Sequence, residues 1–189
     1  MGCGALESVN IPENTTLGSR TANFGELGVF EGCSALKTVT IRSKTVGNRA
    51  FLQCTALKSV TFMNDVDVIG INAFAACTGL TQVTFNGSVY KIDSAAFYKC
   101  SGLTSITLPA GLTILGAYVF SDCANLKTIK ISSGALLTDV NMSALFNDNL
   151  QAPIQSFVVE NGNKYLSSED GVLFDRGKKR IVAYPFGKT

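Results

Sequence analysis

Histidine and tryptophan are both missing from this sequence of 189 residues. Without an imidazole side chain, catalytic triads that depend on histidine and metal sites with histidine ligands are excluded. Charged residues are also scarce, at 16% of the chain, whereas 46% of the residues are hydrophobic and 18 are glycine. This balance disfavours long charged helices and favours a β-rich fold with many turns.

The sequence also lacks a strong excess of either charge and any long apolar run. Sixteen Lys and Arg residues against fourteen Asp and Glu give a formal charge of +2, too weak for a nucleic-acid or anionic-membrane binder. No apolar run approaches the roughly 18 residues of a membrane span, and the N-terminus has no signal-peptide pattern. We therefore expect no nucleic-acid partner and no membrane insertion, and the chain is either cytosolic or missing its targeting segment.

What the sequence does contain is an internal repeat. The pattern C-x-x-L-x-x-[VI]-x-[ILF] begins at each of the six cysteines, and IQSFVV near residue 154 keeps the apolar spacing without the cysteine. Upstream of the later cysteines, IGINAFAAC, IDSAAFYKC and LGAYVFSDC share an aliphatic residue and a Phe three positions before the Cys. The unit is about 23 residues long, as expected of a repeat architecture. The six cysteines are Cys3, Cys33, Cys54, Cys77, Cys100 and Cys123.

Each unit contains a strand pattern and a turn pattern. Val39 and Ile41 alternate with Thr38 and Thr40, which predicts a short strand with one apolar side. Phe and Cys three residues apart predict a short helical or 3₁₀ turn that packs against the strand. Because one unit cannot bury its own apolar side, we predict that the units stack into a parallel-sheet solenoid. Stacking would align two interior columns, the Leu residues 36, 57, 80, 103 and 126 and the Phe residues 51, 74, 97 and 120.

The 23-residue unit, of the form IGxxAFxxCxxLxxVxF, resembles the BspA-like class of leucine-rich repeats, and the tail with its DGVL and YP motifs is similar to the terminal segment of such proteins. The resemblance implies an α/β repeat fold: a right-handed leucine-rich-repeat solenoid with a parallel β-sheet on its concave face and short helical or 3₁₀ turns opposite. It also implies a cell-surface or secreted bacterial protein, host-associated, with a role in adhesion.

Two domains are expected from this organisation. Residues 1–159 form an array of about seven rungs, of which the first is truncated and the last degenerate, and residues 160–189 form a β-rich capping segment packed on the array. The unit between residues 11 and 33 is seven residues longer, which predicts a protruding loop at residues 14–24. Because the first unit begins at its cysteine, we expect the chain to be a fragment of a longer protein.

The residues with reactive side chains have structural interpretations. One cysteine per rung, with parallel Cβ vectors, suits a buried column better than disulfides or a metal–thiolate site. The Phe column is likewise interpreted as core rather than as an aromatic ligand shelf. A calcium site built from Asn64, Asp65 and Asp67 is conceivable, although six or more oxygen ligands are wanted. We therefore predict no catalytic, cofactor or metal site, and a protein that is not an enzyme.

The outward side of the strands carries mostly hydroxyl side chains. Threonine and serine suit any exposed strand face, yet solenoid sheets also present extended surfaces to partners. We predict a monomeric, non-catalytic module that binds a host or bacterial protein, preferred over a glycan because the face lacks aromatic rings. The alternative is a structural spacer without a ligand of its own. The candidate partner-binding residues are Thr38, Thr40, Ser59, Thr61, Gln82, Thr84, Ser105, Thr107, Thr128 and Lys130.

Overall fold

The protein is described by a computed structural model that covers residues 3–18, 28–138 and 154–188. The predicted loop at residues 14–24 therefore lies in part outside the described residues. The described residues contain the strands β1 (Ser8–Ile11), β2 (Thr38–Ile41), β3 (Thr45–Val46), β4 (Ser59–Phe62), β5 (Val66–Ile69), β6 (Gln82–Phe85), β7 (Val89–Ile92), β8 (Ser105–Leu108), β9 (Ile114–Leu115), β10 (Thr128–Ile131), β11 (Ser156–Val159), β12 (Leu166–Glu169), β13 (Val172–Asp175) and β14 (Ile181–Ala183).

Parallel pairing between successive repeats organises the array. β1, β2, β4 and β6 pair in that order, and β8, β10 and β11 form a second parallel sheet. A further parallel sheet, in the order β3, β5, β7 and β9, runs along another side of the array. Val60 lies opposite Val83 in the pairing of β4 with β6, so equivalent positions of consecutive units face each other. The chain thus winds as a parallel-sheet solenoid, which confirms that part of the predicted fold.

The strands form where the sequence alternates, and each places its apolar residues in the interior. Val39 and Ile41 of β2 are buried whereas Thr38 is exposed, and Val60 and Phe62 of β4 are fully buried. All five Leu residues of the predicted column are fully buried as well. A completely buried Leu or Phe side chain contributes roughly 1.5–3 kcal/mol, so the stack gains stability from every added turn.

Phenylalanine rings form a continuous column through the turn side of the solenoid. Rings of neighbouring units are stacked with centroids 5.1 Å apart for Phe51 and Phe74, 5.4 Å for Phe74 and Phe97, and 5.9 Å for Phe97 and Phe120. Phe30 extends the column by one ring, 5.2 Å from Phe51. These rings belong to the hydrophobic core, so the core interpretation of the Phe column is confirmed.

Cysteine occupies the neighbouring column because its thiol is both small and a hydrogen-bond donor. The Cys77 thiol donates to the Phe51 carbonyl at 3.1 Å, and the Cys100 thiol donates to the Phe74 carbonyl at 3.2 Å. Cys54 and Cys123 make the equivalent bonds to Phe30 and Phe97. All six cysteines are free, and all except Cys3 are buried. Five of the six cysteines are therefore core residues, as predicted, whereas Cys3 is not. Each of these four thiols gives a second hydrogen bond to a carbonyl of the preceding unit, which also accepts a backbone N–H.

The predicted helical or 3₁₀ turns are wrong, and with them the α/β class, because the described residues contain strands and turns but no helix. Two non-glycine residues per unit adopt a left-handed conformation, as at Asn72 (φ 55°) and Ala76 (φ 57°). Alternate backbone N–H groups of this segment donate to carbonyls of the next repeat and not within their own. The N–H groups of Asn72, Phe74 and Ala76 donate to the carbonyls of Ser94, Ala96 and Tyr98, respectively. The segment is therefore a series of tight turns that are hydrogen-bonded between repeats.

Beyond β11 the chain leaves the parallel pattern. β12, β13 and β14 form an antiparallel sheet, and the free edge of β11 donates its Phe157 N–H to the Gly171 carbonyl and its Val159 N–H to the Ser168 hydroxyl. Asn163, which is buried, donates to the carbonyls of Ser132 and Ala135 and accepts from two backbone N–H groups. This one amide therefore ties the tail to the turn after β10.

The left-handed positions generate a stability prediction. Ala95 has φ 55°, a conformation that costs an L-residue about 1–2 kcal/mol and costs glycine little. After allowing for the greater freedom of glycine in the unfolded chain, Ala95→Gly should raise the free energy of unfolding by about 0.5–1 kcal/mol. The neighbouring, fully buried Ala96 has no left-handed φ, so Ala96→Gly should lower it. Urea denaturation of both variants tests this, and equal losses would contradict the backbone assignment.

The buried thiols predict an alkaline loss of stability. Burial raises the pKa of Cys123 to about 12, and that of Cys77 and Cys100 well above the ordinary value of 9.0. Between pH 9.0 and about 12 the unfolded chain loses thiol protons that the folded chain keeps, so the free energy of unfolding falls by about 1.4 kcal/mol per pH unit and thiol. Urea denaturation across this range should show a shallower fall for Cys123→Ala. Val119→Ala supplies the control, because Val119 is fully buried and its side chain does not titrate, so this variant should lower stability at every pH and leave the slope unchanged.

Candidate binding face

The structure places all ten candidate residues on the strands of the first parallel sheet and its continuation, in two columns. In the column nearer the strand starts, Thr38 lies opposite Ser59 and Ser59 opposite Gln82. In the other column, Thr40, Thr61 and Thr84 are partners in the same way. We call the outward side of β1, β2, β4, β6, β8, β10 and β11 the hydroxyl face.

Beyond β6 the same two columns resume. Ser105 lies opposite Thr128 and Thr107 opposite Lys130. Sequence reasoning did not place Ser156 and Val158 among the candidates, although they continue the columns on β11 opposite Thr128 and Lys130. The signal was the apolar spacing of IQSFVV, which sets the strand register. Thr128 and Ser156 also share a hydroxyl–hydroxyl hydrogen bond of 3.3 Å, so part of the donor capacity is used within the face.

The hydroxyl face is interrupted between β6 and β8. These two strands are neighbours, but no ladder pairs them in the described part of the chain. The consequence is visible in burial: Val83 and Phe85 of β6 are partly exposed, whereas their partners Val60 and Phe62 on β4 are fully buried. The interior of the solenoid is therefore open to solvent at this one junction of the sheet.

The interruption coincides with a proline. Five other strands of this face are each followed by a residue whose N–H donates to the neighbouring strand of the preceding unit. The acceptor is the carbonyl of the last residue of that strand, at 2.8 to 3.0 Å. At the junction this position is occupied by Pro109, which has no N–H to offer the Phe85 carbonyl. The repeat length gives no alternative cause, because Val83 and Ile106 are separated by the same 23 residues as Val60 and Val83. The five donors elsewhere are Arg42, Met63, Asn86, Ser132 and Glu160.

The other sides of the solenoid remain paired across this junction. Val89 donates to the Ala110 carbonyl, Lys91 lies opposite Ile114 in the β7–β9 pairing, and Phe97 donates to Val119. The opening is thus a local cleft in one sheet. It forms a cavity of about 530 Å³ between β6, β8 and the adjoining corner turns, which we call the junction groove. Asp65, Val83, Phe85, Thr107, Pro109 and Glu160 contribute to its lining.

Two of the three residues proposed as calcium ligands make side-chain hydrogen bonds within the protein. Asp65 accepts the Ser88 N–H at 2.7 Å, and the Asn64 amide nitrogen donates to Glu13 and to the Arg42 carbonyl. Among the residues that the structure describes, no three His, Cys, Asp or Glu side chains are grouped as a metal site would require. This part of the chain also contains no helix that is long and apolar enough to cross a membrane.

Stacked 23-residue units, buried leucine columns and parallel inter-turn pairing define a leucine-rich-repeat solenoid. Residues 44–169 match the family model for the BspA type leucine rich repeat region, with six copies of the repeat. The chain belongs to the BspA-type leucine-rich-repeat family. No curated protein gives a significant sequence match to the chain.

Solved structures of bacterial repeat proteins share the fold. A leucine-rich repeat protein from Eubacterium ventriosum is 21% identical, with a TM-score of 0.69 over 97% of this chain and 45% of its own. A leucine rich cell surface protein from Faecalibacterium prausnitzii is 24% identical, with a TM-score of 0.54 over 95% of this chain and 54% of its own. The T. pallidum leucine rich repeat protein is 26% identical, with a TM-score of 0.54 over 64% and 57%. The chain thus spans about half the length of these structures.

The assignment of the interruption to Pro109 predicts the effect of replacing it. Pro109→Thr supplies an N–H opposite the Phe85 carbonyl, so the β6–β8 ladder should form and the backbone amides of Val83, Phe85 and Thr107 should exchange with deuterium more slowly. Pro12→Thr is the matched control, because Pro12 follows the strand β1, which has no further strand beside it in the described residues. Equal exchange of the three amides in wild type and Pro109→Thr would rule out the proline as the cause.

Proposed function

We propose that this chain is a non-catalytic protein-binding module of a bacterial cell-surface or secreted leucine-rich-repeat protein, and that it binds a host or bacterial protein through the hydroxyl face. The observation that carries the proposal is the register of that face. Hydroxyl and amide side chains of Thr38, Ser59 and Gln82 are held side by side on successive strands, with spacings of about 4.8 Å. Such a surface supplies many hydrogen-bond donors and acceptors on a rigid frame.

The chemistry of the face favours a protein partner. The exposed side chains of Thr38, Gln82 and Ser105 can each donate and accept hydrogen bonds. The flanking Lys58 and Lys127 are exposed cations. No aromatic side chain projects from the two hydroxyl columns, and aromatic rings are the usual platform for sugar rings. Adhesion to a protein therefore fits the surface better than recognition of a glycan.

Several finer features belong to the same proposal. We place the winding as right-handed, because crossovers between parallel strands are almost always so, and the hydroxyl face on the concave side. We place the protein at the cell surface, in keeping with the description of the F. prausnitzii relative as a cell surface protein. The module acts as a monomer. Residues 1–159 form the array and residues 160–189 cap it, a role supported by the bonds from Phe157 and Val159 to the tail.

The proposal predicts that negative charge on the hydroxyl face abolishes binding. In biolayer interferometry, the chain should bind saturably to one member of a panel of immobilised host matrix proteins that includes fibronectin, at about 0.15 M salt. Thr38→Glu/Gln82→Glu should bind the partner at least about tenfold more weakly. Both positions are exposed, so the new charges face the partner, and β4 lies between the two strands that carry them.

The control is Thr55→Glu/Ala124→Glu, which adds the same charge at exposed turn positions that directly follow Cys54 and Cys123. This variant should bind like the wild type. Binding that survives the face variant, or that both variants lose equally, would contradict a site on the hydroxyl face. A chain that binds no member of the panel, with its fold verified by circular dichroism, would favour the structural spacer.

A further inference from the structure

The junction groove brings apolar side chains within reach of solvent in the middle of the hydroxyl face. On the strands β2, β4, β8 and β10 around it the alternation buries the apolar side, as at Val60, Phe62 and Leu108. In the groove, Val83 and Phe85 are only partly buried, and Phe85 rests on Phe62 with ring centroids 4.9 Å apart. The groove therefore offers a firm apolar floor in the middle of a polar surface.

The walls of the groove are edges of strands. Residues of a parallel strand direct their backbone N–H and C=O groups alternately to one neighbour and then to the other. Among the described strands, β6 is laddered only to β4, and β8 only to β10. The sides of β6 and β8 that face each other therefore carry peptide groups without a ladder partner. The natural complement of such an edge is the backbone of an extended peptide.

The charge of the groove is negative. Asp65 and Glu160 are the charged side chains among its lining residues, and no Lys or Arg lines it. Asp65 accepts the N–H of Ser88 at 2.7 Å and Glu160 that of Ser133 at 2.9 Å. Each carboxylate can accept further hydrogen bonds, because its two oxygens have about four acceptor sites. A positively charged side chain is the complement of this pair.

From these three features we propose that the junction groove binds an extended peptide segment of a protein partner, which carries a Lys or Arg beside an apolar residue. The backbone of the segment pairs with the free edges of β6 or β8, the apolar side chain contacts Phe85, and the cationic side chain lies between Asp65 and Glu160. This inference rests on the proposed function and names a site within it that shares Thr84 and Thr107 with the hydroxyl columns but does not include Thr38 or Gln82.

The test uses a phage library of random decapeptides, selected on the biotinylated full chain and then on Pro109→Thr as a counter-selection. The most enriched peptide is synthesised and titrated against the protein by fluorescence anisotropy. We expect enriched peptides that combine Lys or Arg with aliphatic residues. We also expect the bound peptide to slow deuterium exchange at Val83, Phe85 or Thr107, and backbone N-methylation at alternate positions to abolish binding while keeping every side chain.

Asp65→Asn/Glu160→Gln removes both charges and keeps an amide oxygen to accept the N–H groups of Ser88 and Ser133, so the fold is retained. Affinity for the peptide should fall by about tenfold or more. The control is Glu7→Gln/Glu169→Gln, which removes two exposed carboxylates that pair with Lys37 and Lys178 away from the groove, and it should leave affinity unchanged.

Three results would overturn the inference: no enrichment above the streptavidin background, equal affinity of the groove variant and its control, or a selected peptide that protects another surface. Self-association of the chain that Asp65→Asn/Glu160→Gln removes would assign the groove to a second copy and would also overturn the inference. Failure of the proposed function is seen separately, because Thr38→Glu/Gln82→Glu tests the partner on the hydroxyl columns while the groove is intact.

Discussion

Hydrogen bonding of each turn to the next is the interaction on which the whole molecule depends. The bonds run along the strands, through the corner turns and through the Phe–Cys segment, where Phe51 donates to Ala73 and Phe74 to Ala96. A backbone group in this array is satisfied only if the same position of the neighbouring unit lies beside it, so the repeat length is fixed by geometry. Left-handed conformations at ordinary residues such as Ala95 and Lys99 persist because the peptide groups of this turn are hydrogen-bonded to the units on both sides.

The same constraint decides which residues the interior accepts. In each column the same residue type recurs in successive units, so each side chain must pack against another of the same type. Phenylalanine does so by ring stacking at Phe51 and Phe74. Cysteine does so because its thiol reaches the carbonyl of the preceding Phe, as from Cys77 to Phe51, while its small volume leaves room for the next thiol. An alanine would fit the space but would remove one of the two donors to that carbonyl, which also accepts the Cys54 N–H at 3.3 Å, so the loss is that of one hydrogen bond, about 0.5–1.5 kcal/mol.

The sequence pattern was sufficient for one strand of each unit, such as β2 and β4, for the two columns and for the repeat family, because alternation and spacing can be read from the sequence. It did not predict the second strand of the units, seen in β3, β5, β7 and β9, which form a parallel sheet of their own. It misled on the turn segment, since apolar residues three apart fit one helical turn and fit successive tight turns equally well. The distinction lies in the left-handed φ of residues such as Ala76 and Ala95, which carry no recognisable sequence signal. Asn163 was missed for a similar reason: its four hydrogen-bond partners come from segments that meet only in the folded chain.

The junction groove did have a signal in the sequence. Six of the outward-facing strands follow an earlier strand of the same face, and of the six residues that directly follow them only Pro109 is a proline; the ladder is missing at this place. Proline is tolerated at sheet edges because no N–H is needed there. Each bond missing from the β6–β8 ladder costs about 0.5–1.5 kcal/mol, and the β7–β9 pairing and the stacking of Phe97 on Phe120 hold the two units together across the junction. Because Pro109 has no N–H, it also disfavours non-specific pairing of this edge with other strands. A segment that binds in the groove therefore needs side-chain contacts in addition to its backbone hydrogen bonds. The partly exposed ring of Phe85 and the carboxylates of Asp65 and Glu160 can make these side-chain contacts.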